Sequence, residues 1–252
     1  MIHSSDQLHG VAEFYSEHGY GLVADVLSRS QVDRLSTVIE NARKNDANDS
    51  SVSNSSGVYA LRNLTEVVPE VSELLTGSRL AEIVTAVLGP NAFVVRSTLF
   101  DKTDGANWGV FWHQDLSIAV QERHEVDGFT AWTRKAGVPC VQPPADIMRR
   151  ILAVRLSLDD CDQSNGALRV LPGSHRRDRL NTAQTEAILQ QTSEVICEVP
   201  AGGAVLMNPL TLHSSLPMQV SGHRRVIHLE FAGFELPSPL QWRFRIPVIA
   251  QR

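Results

Sequence analysis

The rhythm of apolar and polar positions changes once along the chain, near residue 90. Before it the spacing is helical. Ser28 is placed to cap a helix in which Val32, Leu35, Val38, Ile39 and Ala42 share a face. Asn41 to Ser56 then dissolves into Asn, Asp and Ser, the texture of a loop. Val71, Leu74 and Leu75, followed by Leu80, Ile83, Val84, Val87 and Leu88, mark one or two further amphipathic helices that stop at Gly89-Pro90. From Ala92 onward the apolar runs are short and β-rich: Phe93–Phe100, Val110–Trp112, Ile151–Leu158, Ala167–Leu171, Val195–Val199, Ala204–Met207, Thr211–His213 and Val226–Phe231. Turn residues separate them at Asp104-Gly105, Asn165-Gly166, Pro172-Gly173, Gly202-Gly203 and Ser221-Gly222. So many short strands suggest a sandwich or barrel. One stretch, Gln121 to Pro144, shows no period and carries several Gly and Pro together with Phe129 and Trp132. A loop of that length in a compact domain is a lid or binding-loop candidate. The expectation is one domain over 1–252, with 1–90 a largely helical flank, 91–252 the β core and 121–144 the candidate lid.

With 252 residues, 42% of them hydrophobic, the chain can bury one substantial core. A net charge of −5 is the wrong balance for gripping phosphate backbones, so nucleic acid is not expected as a partner. Three widely spaced cysteines, Cys140, Cys161 and Cys197, form no CxxC or paired framework, which fits a reducing, cytoplasmic setting. No run reaches the length of a membrane span, and the first residues lack a basic-then-apolar leader.

The first candidate for chemistry is Trp112-His113-Gln114-Asp115, because residues two apart on an extended strand share a face. His-x-Asp/Glu arises by chance roughly once in a chain of this composition, and a second instance, His228-Leu229-Glu230, is present. A third ligand separates them. A redox iron that activates oxygen and chelates a 2-oxo acid needs three protein ligands on one face and open positions opposite. His213 follows Asp115 in the strand-like Leu210-Thr211-Leu212-His213 and alternates away from the two leucines, whereas no histidine follows Glu230. The oxo acid's far carboxylate needs a guanidinium fork. Arg224 lies eleven residues after His213, across a turn at Gln219–Gly222, and alternation lets only one of Arg224 and Arg225 face inward.

The order His113-Gln114-Asp115, Asn165-Gly166-Ala167-Leu168, Leu171-Pro172-Gly173-Ser174-His175, His213-Ser214-Ser215 and Arg224 resembles the phytanoyl-CoA dioxygenase family. So does the opening Phe14-Tyr15-Ser16-Glu17-His18-Gly19-Tyr20 with Asp25-Val26-Leu27-Ser28 after it. The resemblance implies a mainly β fold with flanking helices, a double-stranded β-helix of the cupin-like jelly-roll kind. It further implies Fe(II) on His113, Asp115 and His213, with 2-oxoglutarate and O2 as co-substrates. Arg224 then matches the residue that binds the distal carboxylate, Ser215 one that helps to hold it, and Thr98 falls near another co-substrate position. Arg155 stands where the human-type pattern has tryptophan, which adds a cation to the pocket and argues against an acyl-CoA substrate. A ligating Asp115 fills the position that halogenating relatives leave to a halide, so hydroxylation is expected rather than chlorination.

The activity so implied is hydroxylation of a small molecule, with Arg134 and Lys135 on the candidate lid suited to an acidic group. Two other classes remain on the same residues: a zinc or manganese hydrolase, which would need a general base beside the metal, and a binding module that keeps the metal without turnover. His175 reads as a turn residue, and His124 and His223 as solvated. Trp108, Trp112 and Trp132 are candidates for an aromatic wall or for ordinary packing. Arg149-Arg150 and His175-Arg176-Arg177 read as solvated surface.

Overall fold

The structure, a computed structural model, describes residues 2–3, 8–44, 51–54 and 57–250. The helical spacing of the flank is realised in Leu8–His18, Arg29–Lys44 and Arg79–Leu88, with a short helix Leu64–Val67 and a 3-10 segment Pro69–Leu75 between them. Ser28 caps as its sequence suggests: its hydroxyl accepts from Gln31 N–H (3.3 Å) while the Gln31 amide oxygen accepts from Ser28 N–H (2.8 Å), a reciprocal box. Gly89, at φ 84°, ends the last of these helices.

The flank is less purely helical than expected. Tyr20–Val23 and Gly57–Arg62 are strands and join the main sheet. Nor is 41–56 simply a loop: the helix runs on to Lys44 and Ser51–Asn54 is a strand, while 45–50 and 55–56 lie outside the described residues.

Two largely antiparallel sheets face each other, giving the jelly-roll arrangement. The larger is ordered Ile2–His3, Tyr20–Val23, Ala204–Met207, Leu152–Ser157, His223–Ala232, Phe93–Thr103, Gly57–Arg62, Ser51–Asn54, and Ile246–Pro247 also pairs with Phe93–Thr103. The smaller is ordered Val195–Cys197, Leu168–Val170, His213–Ser215, Val110–His113. Alternation along the larger sheet sends Leu99, Leu152, Val154, Ile227 and Leu229 outward, where they share one apolar core with Val32, Leu35, Ile39, Leu80 and Val84 of the helices. The opposite faces of the strands turn towards the smaller sheet. At one end they are apolar, and Leu22, Ala153, Val205 and Val226 pack against Leu168, Val170 and Cys197. At the other end they are polar and enclose a cavity.

The segment 121–144 is the main departure from the expected pattern. Thr130–Lys135 and Val138–Gln142 form an antiparallel hairpin that also pairs with Ile118–Ala119. Its turn is Ala136-Gly137, both with positive φ (47° and 73°), the two-residue geometry that matches strand twist. Phe129, Val141 and Trp132 root it in an apolar cluster with Phe93, Ile118, Met148 and Trp242.

Candidate active site

His113 ends its strand directly opposite His213 on the neighbouring antiparallel strand. Asp115, just beyond, is fixed by its N–H bond to Pro209 O (2.9 Å). Gln114 points the other way and staples the segment: its amide donates to Leu210 O (2.9 Å) and accepts from Leu180 N–H (2.9 Å). Both histidines place Nδ1 at 2.8 Å from the carbonyl two residues before, Phe111 O and Thr211 O. A carbonyl only accepts, so Nδ1 carries the proton and the Nε2 lone pair is left for a ligand. Each Nε2 faces Asp115, at 3.8 Å from His113 and 3.6 Å from His213, and one ligand atom from each of the three residues lies within 4.8 Å of the others. Two imidazoles and a carboxylate on one face, open to a cavity, are the donor set of a facial triad, and the residues fit a divalent iron. Burial works against a charged Asp115, but His213, His228, His113 and Arg96 outweigh it and hold the carboxyl down at about 2. Burial likewise pushes His213 down to about 4, the neutral form that a metal requires.

The cavity of about 290 Å³ beside the triad is floored by cross-strand pairs of the larger sheet. Lys102 sits opposite Arg224, Phe100 opposite Val226, Thr98 opposite His228, and Arg96 opposite Glu230. Like charges directly opposite are unfavourable, and Lys102 and Arg224 are both buried. Lys102 donates to Ser215 Oγ (3.0 Å) and Leu216 O (2.6 Å), and burial, with Arg224 and Arg155 nearby, pulls it down to about 7. Leu216 O is reachable because Gly166, at φ 75°, passes so close that a Cβ there would lie 2.3 Å from that oxygen. Burial also lowers Arg224, whose Nε has no hydrogen-bond partner among the described residues. Arg155, half-buried and depressed to about 10, bonds the His228 ring (3.3 Å) and lies over the Phe100 ring (5.7 Å). At the other end of the floor Glu230 holds Arg96 (3.0 Å) and lies 3.4 Å from His228.

The structure therefore brings His113, Asp115, His213, Ser215, Thr98 and Arg224 to one cavity. Arg225 faces away and pairs with Asp159 (2.6 Å). His228 and Glu230 line the same cavity but stand outside the metal cluster. Trp108 lines it too, 4.9 Å from the Tyr59 ring, whereas Trp112 lies beneath Arg169 and Trp132 packs into the hairpin's root. His223 is not simply solvated, since it opens a strand and bonds Asp101 (3.1 Å). His175 closes a turn against Ser16 O (3.3 Å). Sequence reasoning passed over Lys102, Arg96 and Arg62. The first two carried a signal, because Arg96, Thr98, Phe100 and Lys102 alternate with Val95, Ser97 and Leu99.

The sequence profile of phytanoyl-CoA dioxygenase matches residues 15–226. The chain belongs to the phytanoyl-CoA dioxygenase family. An ectoine dioxygenase from Nocardia farcinica (strain IFM 10152) is 23% identical over 167 residues, 64% of this chain and 49% of that protein, so the chain spans about half of that relative's length. Among solved structures, EctD from S. alaskensis in its apoform superposes with a TM-score of 0.74 at 20% identity, covering 96% of this chain and 86% of that one. The same enzyme with 2-oxoglutarate and 5-hydroxyectoine gives 0.71 at 19% identity, with the same coverage. SnoK, a non-heme alpha-ketoglutarate-dependent carbocyclase from nogalamycin biosynthesis, gives 0.68 at 17%, covering 92% and 86%. These likenesses show a shared jelly-roll fold.

Proposed function

We infer that this protein is an Fe(II)- and 2-oxoglutarate-dependent oxygenase that hydroxylates a small, acidic molecule. The observation that carries the reading is the pairing of a facial triad with a buried arginine, Arg224, whose Nε has no hydrogen-bond partner among the described residues, in one cavity. Iron(II) and 2-oxoglutarate, held there, would supply the oxidising chemistry with O2, and succinate and CO2 would be the co-products. The rest is the work of the chain. His113, Asp115 and His213 present their ligand atoms without rearrangement, because backbone bonds fix both ring tautomers and Asp115 is already ionised. Arg224 receives the distal carboxylate with Lys102 and Ser215 beside it, and Thr98 lies farther along the strand of Lys102, opposite His228, towards the oxo acid's other end. A carboxylate at Arg224 and Lys102 also relieves the repulsion between the two cations. The hairpin lays Lys135, Val138 and Cys140 along the cavity and serves as the cover that keeps water from the reacting centre. A single oxygenase domain working in the cytoplasm accommodates these features: the three cysteines are free thiols, and no helix among the described residues is long and apolar enough to cross a membrane.

A hydrolase is disfavoured by one observation. Glu230, the cavity's other carboxylate, is held by Arg96 and His228 and is not available as a base. The deciding experiment is succinate release with iron(II), ascorbate and 2-oxoglutarate. Oxygen-dependent succinate is expected from the wild type, and its absence from metal-loaded, folded protein would refute the reading.

A further inference from the structure

The charges that line the cavity do not balance. Among the described residues that line it, Arg62, Arg96, Lys102, Lys135, Arg155 and Arg224 stand against two carboxylates, Asp115 and Glu230. Glu230 answers Arg96 (3.0 Å), and Asp115 belongs to the triad. A divalent metal and a doubly charged oxo acid cancel one another, so loading the site leaves the excess of cations as it was. Lys102 and Arg224 are buried and Arg62, Arg96 and Arg155 half-buried, so a ligand that supplies an anion stabilises cations partly withdrawn from water.

The cations also fall in separate places. Lys102 and Arg224 are directly opposite one another, and Arg155 is near enough to depress Lys102. Arg62 is elsewhere. Strand register sets Arg62, Thr98, His228 and Arg155 in a single row across four adjacent strands. Arg62 thus stands three strand spacings from Arg155, about 14 Å at the usual separation of paired strands. It is half-buried, it lines the cavity, and it makes no hydrogen bond or ion pair with any described residue. Lys102 and Arg224 lie off this row, four residues along their strands from Thr98 and His228, so roughly 13 Å of strand separates the backbone position of Arg62 from that end.

We propose that Arg62 docks a carboxylate or phosphate of the compound to be oxidised, so that the substrate is a small anion lying over Thr98 and His228 with its acidic end opposite the oxo acid's distal end. The placement rests on the oxygenase reading for which end the oxo acid takes. It makes the anion's position, and not only its sign, the specificity determinant. A guanidinium suits both oxyanions because its fork donates two parallel hydrogen bonds to either.

The test uses the full chain loaded anaerobically with iron(II) and saturating 2-oxoglutarate, titrated calorimetrically with sulfate, acetate and, as acetate's neutral counterpart, acetamide. Sulfate and acetate are expected to bind saturably and acetamide not at all. Arg62→Met should weaken both anions about tenfold or more, and Arg62→Lys, which keeps the charge but loses the fork, should fall between Arg62→Met and the wild type. Should Arg62→Met not fold, Arg62→Gln carries the comparison. Arg134→Met, an exposed hairpin arginine outside the cavity, is the control and should change nothing. The proposal is overturned if the loaded protein binds neither anion, if anion binding disappears once 2-oxoglutarate saturates, or if Arg62→Met binds as tightly as the wild type. Failure of the oxygenase reading is distinguishable, because the protein would then not bind 2-oxoglutarate with iron in the first step.

Discussion

His113 and His213 lie directly across an antiparallel strand pair, with ring centroids 4.1 Å apart. A single ladder register thus aligns two ligands from positions a hundred residues apart in the chain, and Asp115 reaches the same point from just beyond the strand. Because these groups line a cavity and are not core packing, Asp115→Ala and His213→Ala should keep the fold. Each should lose iron affinity by more than the 10–100-fold, roughly, that outer-shell changes cost. Calorimetric iron titration with circular dichroism on the same samples checks both halves.

The two neighbouring arginines should behave differently. Arg224→Met is expected to raise the 2-oxoglutarate KM about 10- to 100-fold, the equivalent of roughly 1.5–3 kcal/mol for a charge-assisted pair. Arg225→Met removes a part-buried, two-pronged ion pair with Asp159 and should lower stability, with KM unchanged. Steady-state kinetics alongside thermal melts separates the two.

Lys102 gives the metal-free protein a pH signature. Its folded pKa, pulled to about 7 by burial and by Arg224 and Arg155, lies below its unfolded value. The unfolded chain therefore holds the extra proton between those values, and stability rises with pH there. The penalty is complete below about pH 7 and fades above it. Lys102→Met should melt higher than the wild type below pH 7, and the difference should shrink as pH increases. The same variant should bind 2-oxoglutarate more weakly at pH 6 and lose the wild type's fall in affinity above pH 7.

Trp132 packs into the hairpin's root, not towards the cavity, so Trp132→Ala should act on stability, by about 2 kcal/mol for a half-buried ring. Val138→Phe narrows the cavity wall instead. It should reduce substrate-stimulated succinate release more than unstimulated release, and comparing the two rates for each variant tests the hairpin as a cover.

The grouping of the candidate site's residues at one cavity was largely legible, because the chemistry they suit demands rare residue types at fixed spacing. His113 and Asp115 needed strand alternation and a later histidine to set them apart from His228 and Glu230, and the choice of Arg224 over Arg225 needed alternation together with the eleven-residue offset from His213. Ala204–Met207 was read to the residue, since a short apolar run between turn signals leaves little freedom. The hairpin at 130–142 was hidden because Pro139, Pro143 and Pro144 dilute the β signal and Ala136-Gly137 lacks the Asn-Gly form of its turn. Gly57–Arg62 was hidden for another reason. The strand sits among helices, and its inward face becomes visible only when Arg62 is paired with Thr98, a tertiary fact. The Lys102–Arg224 juxtaposition is likewise invisible locally, since the two residues are far apart in sequence and are joined only by register.

The central claim is that His113, Asp115 and His213 hold an iron that a 2-oxo acid chelates in the same cavity. The most direct measurement is the visible metal-to-ligand charge-transfer absorption of the protein mixed anaerobically with iron(II) and 2-oxoglutarate. A band is expected in the wild type, absent in Asp115→Ala, and requiring more 2-oxoglutarate in Arg224→Met. Wild-type protein that binds iron stoichiometrically yet shows no band at any 2-oxoglutarate concentration would contradict the account.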